Sequence, residues 1–144
     1  VAHATYLGPW GSGARMKLVS NLVLGLNRVA LAEGLVFAEA MGVEPAAALE
    51  VLIGSMAYSR AMDVKGRKMI ERDFKPAFMV KLQQKDLRLV LGAASSNNTP
   101  LPGAALAHQM LAAVEVAGAE RARVEHLLDA LVLERRAGEH GHEP

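Results

Sequence analysis

The sequence predicts an all-α fold: a single domain of about six helices around one long, mostly buried N-terminal helix. Three observations lead there. The 144 residues are 51% hydrophobic yet only 4% aromatic, so the core must be built from Leu, Val, Ala and Met. Beyond Leu7 no segment alternates apolar and polar residues as a half-buried strand would. Proline and glycine stand where helices start and stop, with Pro45 and Pro102 as openers and Gly42 and Gly54 as closers. A chain of this length suits one domain.

The elements follow in order. Val1 to Leu7 is short and extended, and Gly8-Pro9 ends it. From Ser12 or Gly13 a helix runs to about Met41, with Gly42 as its cap. At the α-helical rise per residue it is about 42 Å long. Its apolar residues lie nearly all round the axis, including Leu18, Leu22, Val23, Leu26, Leu31, Leu35 and Phe37. Such a helix must be covered on most sides. One small domain hardly wraps that length, so the remainder is expected to meet another subunit or domain. A second helix spans Pro45 to Ile53 and is closed by Gly54, and a less regular helical stretch covers Ser59 to Ile70. Phe74-Lys75-Pro76-Ala77-Phe78 is a non-helical connection with two aromatic anchors. Met79 to Ala94 is helical, with Leu82, Leu89, Val90 and Ala93 towards the core. Ser95 to Pro102 is the clearest loop. The next helix uses Leu106, Met110, Val114 and Ala117, and the last, Ala122 to Arg135, uses Val124, Leu127, Leu128 and Leu131. The helical domain thus occupies 12–136, between a leading segment, 1–11, and a polar tail, 137–144.

Bulk charge narrows the function classes. The net charge is +1, which gives no electrostatic case for nucleic acid or an anionic membrane. Leu18 to Ala40 is the longest apolar run, but Asn21, Asn27, Arg28, Glu33 and Glu39 interrupt it, which argues against a membrane span. Cysteine is absent, so disulfides and thiolate sites are excluded, as befits a cytoplasmic protein. The start at Val1-Ala2-His3, without Met, reads as an excised or processed piece, and no signal-peptide pattern opens it.

The segment richest in chemistry is Gly11-Ser12-Gly13-Ala14-Arg15-Met16-Lys17-Leu18-Val19-Ser20-Asn21. Gly11 and Gly13 allow backbone conformations and close approaches that a side chain blocks. Lys17 and Asn21 are four apart and stack on one helix face. Among Met16, Leu18, Val19 and Leu22, the lysine either snorkels to water or sits where water is scarce. The second state suits a general acid/base, which must change charge near neutral pH.

In wider context this GxGxxxKxxxN signature gains meaning. Lys85-Asp86-Leu87-Arg88-Leu89 follows 68 residues after Lys17, preceded by Phe74 to Phe78 and followed by Pro100-Leu101-Pro102. Together these resemble the C-terminal helical domain of the β-hydroxyacid dehydrogenases, the 3-hydroxyisobutyrate dehydrogenase-like family, over Leu7 to about Leu133. The resemblance implies an NAD(P)-dependent oxidoreductase that interconverts a small β-hydroxyacid and its semialdehyde or keto form. It makes Lys17 the catalytic acid/base, Asn21 a substrate-binding residue and Lys85 a cofactor-binding residue. It makes 1–11 an interdomain junction and the helical domain a homodimerisation surface. The family's N-terminal dinucleotide-binding domain, which holds most of the NAD or NADP, has no counterpart here. Gly11-x-Gly13 is not a strand–GxGxxG–helix fingerprint. These residues alone are therefore expected to be inactive, and a non-catalytic dimerisation or interaction module is the alternative.

The remaining residues have plainer readings. Asp86 reads as a structural partner, Trp10 as a junction anchor, and Phe74 and Phe78 as gap fillers. Ser59 and Arg60 fall in the irregular stretch, where approach to a substrate is open and no role is assigned to them. His108 and His126 read as surface or boundary residues. No metal site is expected, because the tail around His140 and His142 is interrupted by glycine and fixes no geometry.

Overall fold

The computed structural model describes residues 4–71 and 80–116, and is all-helical over them. Five α-helices follow in order: α1, Ser12–Ala40; α2, Pro45–Ile53; α3, Arg67–Ile70; α4, Val80–Ser96; and α5, Pro102–Val116. A single π-helical turn, Met62–Gly66, leads directly into α3. The connection 74–78, the last helix and the tail lie outside the described residues.

Glycine and proline punctuate the chain as expected. Gly11 caps α1 from the left-handed region (φ 88°). At the other end Gly42 takes φ 77°. There the Val43 N–H donates to Ala38 O at 2.9 Å and the Gly42 N–H to Glu39 O at 3.0 Å. These two bonds make a Schellman motif, which satisfies carbonyls the helix leaves open. Gly13, by contrast, is an ordinary helical residue with open space beside it, so the turn uses Gly11 and not Gly13. Pro45 opens α2, where the N-cap Glu44 carboxylate accepts the Ala47 N–H at 2.9 Å. The same Schellman geometry ends α4. Thr99 N–H donates to Ala94 O at 2.9 Å and Asn98 N–H to Ser95 O at 3.1 Å, with Asn98 left-handed at φ 51°. Ser95 and Ser96 are therefore still helical, and the expected loop is shorter than its composition suggested.

Leu31, Ala32, Leu35, Leu49, Met62, Met69, Leu87, Ala104, Ala107 and Leu111 form one core. Each fully buried Leu or Met contributes about 1.5–3 kcal/mol. α1 touches α2, α4, α5 and the π turn. Its burial is concentrated in its second half and centre, at Gly25, Leu31, Ala32 and Leu35. Met16, Val19, Val23, Leu24 and Phe37 stay open, so the apolar excess read from the sequence does leave an uncovered face in this chain. By length and composition α1 would pass for a membrane span. Here it is the central helix of a packed domain.

Two helix faces differ from expectation. On α4 the inward residues are Gln83, Leu87, Val90 and Ala94, while Leu82 and Leu89 are exposed. The stripe is turned because Gln83 is pinned against α1. On α5 the small residues Ala104 and Ala107 face inward with Leu111, and Leu106 points out. Small side chains let α5 come close. A Cβ on neighbouring Gly103 would meet Leu26 of α1 at 3.5 Å, in ordinary van der Waals contact. Val114 and Ala117 lie beyond the described side chains.

Candidate functional site

α1 and α4 run antiparallel past each other, and polar side chains connect them. Asn21 Nδ2 donates to Asp86 Oδ2 at 3.1 Å. Two turns further along α1, Arg28 Nη1 donates to Gln83 Oε1 at 2.8 Å. Between these bonds the Gln83 side chain lies over Gly25, where an added Cβ would stand 2.9 Å from Gln83 Nε2. Gln83 is only 3% exposed, and its hydrogen bond to Arg28 meets the general requirement that buried amides be satisfied. Glycine at 25 is thus a close-approach position.

Lys17 lies one helical turn before Asn21, on the same face. Its side chain is exposed, so nothing in this chain holds it away from water. The crevice considered from its apolar neighbours is not formed by these residues, because Met16 and Val19 are themselves exposed. Asn21 is half-buried and held by Asp86, which is the structural partner the sequence suggested. Lys85 adjoins Asp86 and is exposed, as is Arg88. The Asn21–Asp86 bond therefore brings the Lys17–Asn21 pair of α1 alongside the Lys85–Asp86 pair of α4, with both lysines open to an incoming surface.

Trp10 and Tyr6 are almost fully exposed, so neither side chain packs against the described residues. Tyr58 donates to the Asp63 carboxylate, and this bond, aided by desolvation and the carboxylate's charge, raises the phenol above its ordinary range. His108 is half-buried on α5. His126, Phe74 and Phe78 lie outside the described residues. Among the described residues no group of three metal-ligating side chains occurs.

Sequence reasoning missed a second polar cluster. Arg28, Arg60 and Lys65 line one cavity of about 170 Å³, together with Leu24, Ala61 and Val64. A signal was available, since Lys17, Asn21, Leu24 and Arg28 recur at i, i+4, i+7 and i+11 and so share one stripe. Arg28 read only as an interruption of an apolar run. Arg60 was assigned no role, and Lys65 was not singled out.

Taken together, these elements define an all-helical domain whose two central helices present matched polar pairs at one edge. The family described as NAD-binding of NADP-dependent 3-hydroxyisobutyrate dehydrogenase matches residues 11–131. The chain belongs to this family and corresponds to its helical C-terminal domain. Among its relatives is 2-hydroxy-3-oxopropionate reductase of Escherichia coli, 33% identical over 90% of this chain and 44% of that protein. Another is 2-(hydroxymethyl)glutarate dehydrogenase of Eubacterium barkeri, 41% identical over 73% of this chain and 35% of that protein. The chain thus spans less than half the length of either. The Mycobacterium tuberculosis 3-hydroxyisobutyrate dehydrogenase solved with L-serine superposes with a TM-score of 0.79 at 25% identity, over 88% of this chain and 46% of that one.

Proposed function

We propose that this chain is the substrate and dimerisation domain of an NAD(P)-dependent β-hydroxyacid dehydrogenase, with Lys17 as the general acid/base. The observation that carries the reading is the α1–α4 edge. Lys17 and Asn21 share one face of α1, and Asn21 is fixed by Asp86 of α4, beside Lys85. Membership of a dehydrogenase family supports the reaction class.

In this reading the Lys17 amine takes the substrate's hydroxyl proton as the carbinol carbon loses its hydride. In the reverse direction the ammonium returns that proton to the developing alkoxide. Asn21 orients the substrate oxygen and keeps that orientation through its bond to Asp86, since reaction needs donor and acceptor held in line. Lys85 offers a cation to the cofactor. The described residues fit only this edge contact, because no strand–glycine-loop–helix unit occurs among them. A bound nicotinamide supplies hydride acceptance, and a second domain holds most of it. That domain also covers the exposed Lys17, with residues 1–11 as the junction. The open apolar face of α1 is the surface offered to a partner subunit, the whole acts in the cytoplasm, and these residues alone do not turn over.

The test is to assay a full-length protein carrying this domain with NAD+ or NADP+ and small β-hydroxyacids. Lys17→Ala should lower kcat by about 10²–10⁴-fold, the usual contribution of a positioned acid/base. Turnover undiminished by that change would refute the role. Absence of any turnover would favour the module reading, for which the exposure of Lys17 is the motivating observation.

A further inference from the structure

We propose that Asp86 fixes Asn21 as a hydrogen-bond acceptor towards the substrate, so that this edge selects a hydroxyacid with a second hydroxyl on the carbon next to the one that reacts. An ionised carboxylate only accepts hydrogen bonds, so the amide must turn its nitrogen to Asp86, and Asn21 Nδ2 donates there at 3.1 Å. With the nitrogen turned to α4, the amide oxygen lies on the far side. Among the described residues nothing donates to Asn21 Oδ1, and that oxygen is not sealed from solvent. The residue itself is half-buried within the long helix α1, and its partner lies 65 positions away on α4. The orientation is therefore set by the helix pair and not by a loose surface side chain.

A carbonyl oxygen reads the opposite chemistry from an amide N–H. A keto or carboxylate oxygen placed against Asn21 Oδ1 sets acceptor against acceptor, so the acid group of a bound substrate points elsewhere. The group that meets Asn21 must bring its own proton. The reacting hydroxyl carries one proton, and in the functional reading above it passes to Lys17. The proton for Asn21 then comes from a second group. Residues four apart on a helix have Cβ atoms about 5–6 Å from each other, so one small molecule reaches both Lys17 and Asn21. A hydroxyl on the neighbouring carbon suits the place better than an ammonium, because Lys17 and Lys85 already stand at this edge.

The selection sharpens when a second domain covers the edge. An acceptor shut away from water without a donor is costly, and a site built to hydrogen-bond one group rejects an analogue that lacks it. The identity of the substrate rests on the functional reading, whereas the orientation of Asn21 does not.

The experiment compares a matched series in the full-length protein: 2,3-dihydroxypropanoate, 3-hydroxypropanoate and 3-hydroxy-2-methylpropanoate. They differ at one substituent, which is hydroxyl, hydrogen or methyl, and methyl matches hydroxyl in size. The dihydroxy acid is expected to have a kcat/KM at least about tenfold above the other two. In Asp86→Asn the partner both donates and accepts, the Asn21 amide is free to turn over, and that ratio should fall towards one. Arg88→Gln, on the exposed side of the same helix, should leave the ratio as it is. Equal turnover of the three acids would overturn the proposal, as it would if Lys17 filled the oxygen instead. A ratio unchanged in Asp86→Asn, or an equal fall in Arg88→Gln, would overturn the part given to Asp86. In this chain alone, the Asn21 side-chain amide hydrogens should exchange with water more slowly than in Asp86→Ala, and equal exchange would show that Asp86 does not hold the amide. A full-length protein that turns over none of the three defeats the dehydrogenase reading. Calorimetric binding of the same acids then decides the present proposal, and a dihydroxy acid held no more tightly than its methyl analogue would overturn it.

Discussion

Replacing Gly25 with Ala probes the helix crossing on which the candidate site stands. In an open helix interior this change stabilises by about 1 kcal/mol, the difference in intrinsic propensity. Here the new methyl would stand 2.9 Å from Gln83 Nε2, well inside ordinary contact. Gln83 must move, yet it is 3% exposed and accepts the Arg28 guanidinium at 2.8 Å. Hydrogen bonds to charged groups are worth about 1.5–3 kcal/mol, and half-burial of Arg28 argues for the lower part of that range. The loss outweighs the propensity gain, and Gly25→Ala is expected to destabilise by about 1 kcal/mol. Gly34→Ala is the control, because no described residue lies within 4 Å of its added Cβ. It should stabilise by up to about 1 kcal/mol. Urea unfolding followed by helical circular dichroism should separate the two midpoints by about 1 M at a typical slope for this size. If Gly25→Ala raises the midpoint as much as Gly34→Ala does, the Gln83 side chain does not cross Gly25 and the account of this contact is wrong.

Three further outcomes are expected. Leu87→Ala, at a position 1% exposed, should cost about 2–5 kcal/mol in the same unfolding assay, and a loss under about 1 kcal/mol would contradict its place in the core. Tyr58, held protonated by Asp63, should titrate above the ordinary tyrosine value of about 10 in a difference titration of phenolate absorbance against Tyr58→Phe. Because the folded value is raised, the stabilisation from this bond is complete below that ordinary value and is lost as pH climbs through the raised one, so a midpoint at or below the ordinary value would refute the bond. Trp10, the single tryptophan, is fully exposed in this chain, so its emission should be that of a solvated indole and readily quenched by iodide; a shielded, blue-shifted emission would show the leading segment packed on the domain.

What the sequence made legible was whatever a single residue type decides locally. Pro45 and Gly54 bound α2, and Gly42 ends α1, because fixed φ in one case and positive φ or chain termination in the others act within a turn. The stretch from Ser59 to Ile70 read as irregular and contains the π turn. Helix faces were less legible because they depend on the partner. Gln83 drew no reading from the sequence, because its burial depends on Arg28, 55 positions earlier, which supplies its hydrogen bond, and the core face of α4 turns with it. On α5 Leu106 was expected to face inward with Met110, but close approach selected Ala104 and Ala107 beside Leu111. The pairing of Asn21 with Asp86 and the grouping of Arg28 with Arg60 and Lys65 join distant positions, and periodicity along one helix shows only half of each.

The uneven cover on α1 gives the molecule a lever. Gly25 acts as its fulcrum, and Lys17 rides eight residues out on the less buried arm, about 12 Å away. A tilt of about 5° at that fulcrum swings the amine's level by about 1 Å, and misplacements of that size can cost about 100-fold in rate. Substitutions under the crossing, at Gln83 or Gly25, would therefore reach the proposed proton transfer without touching any reacting atom.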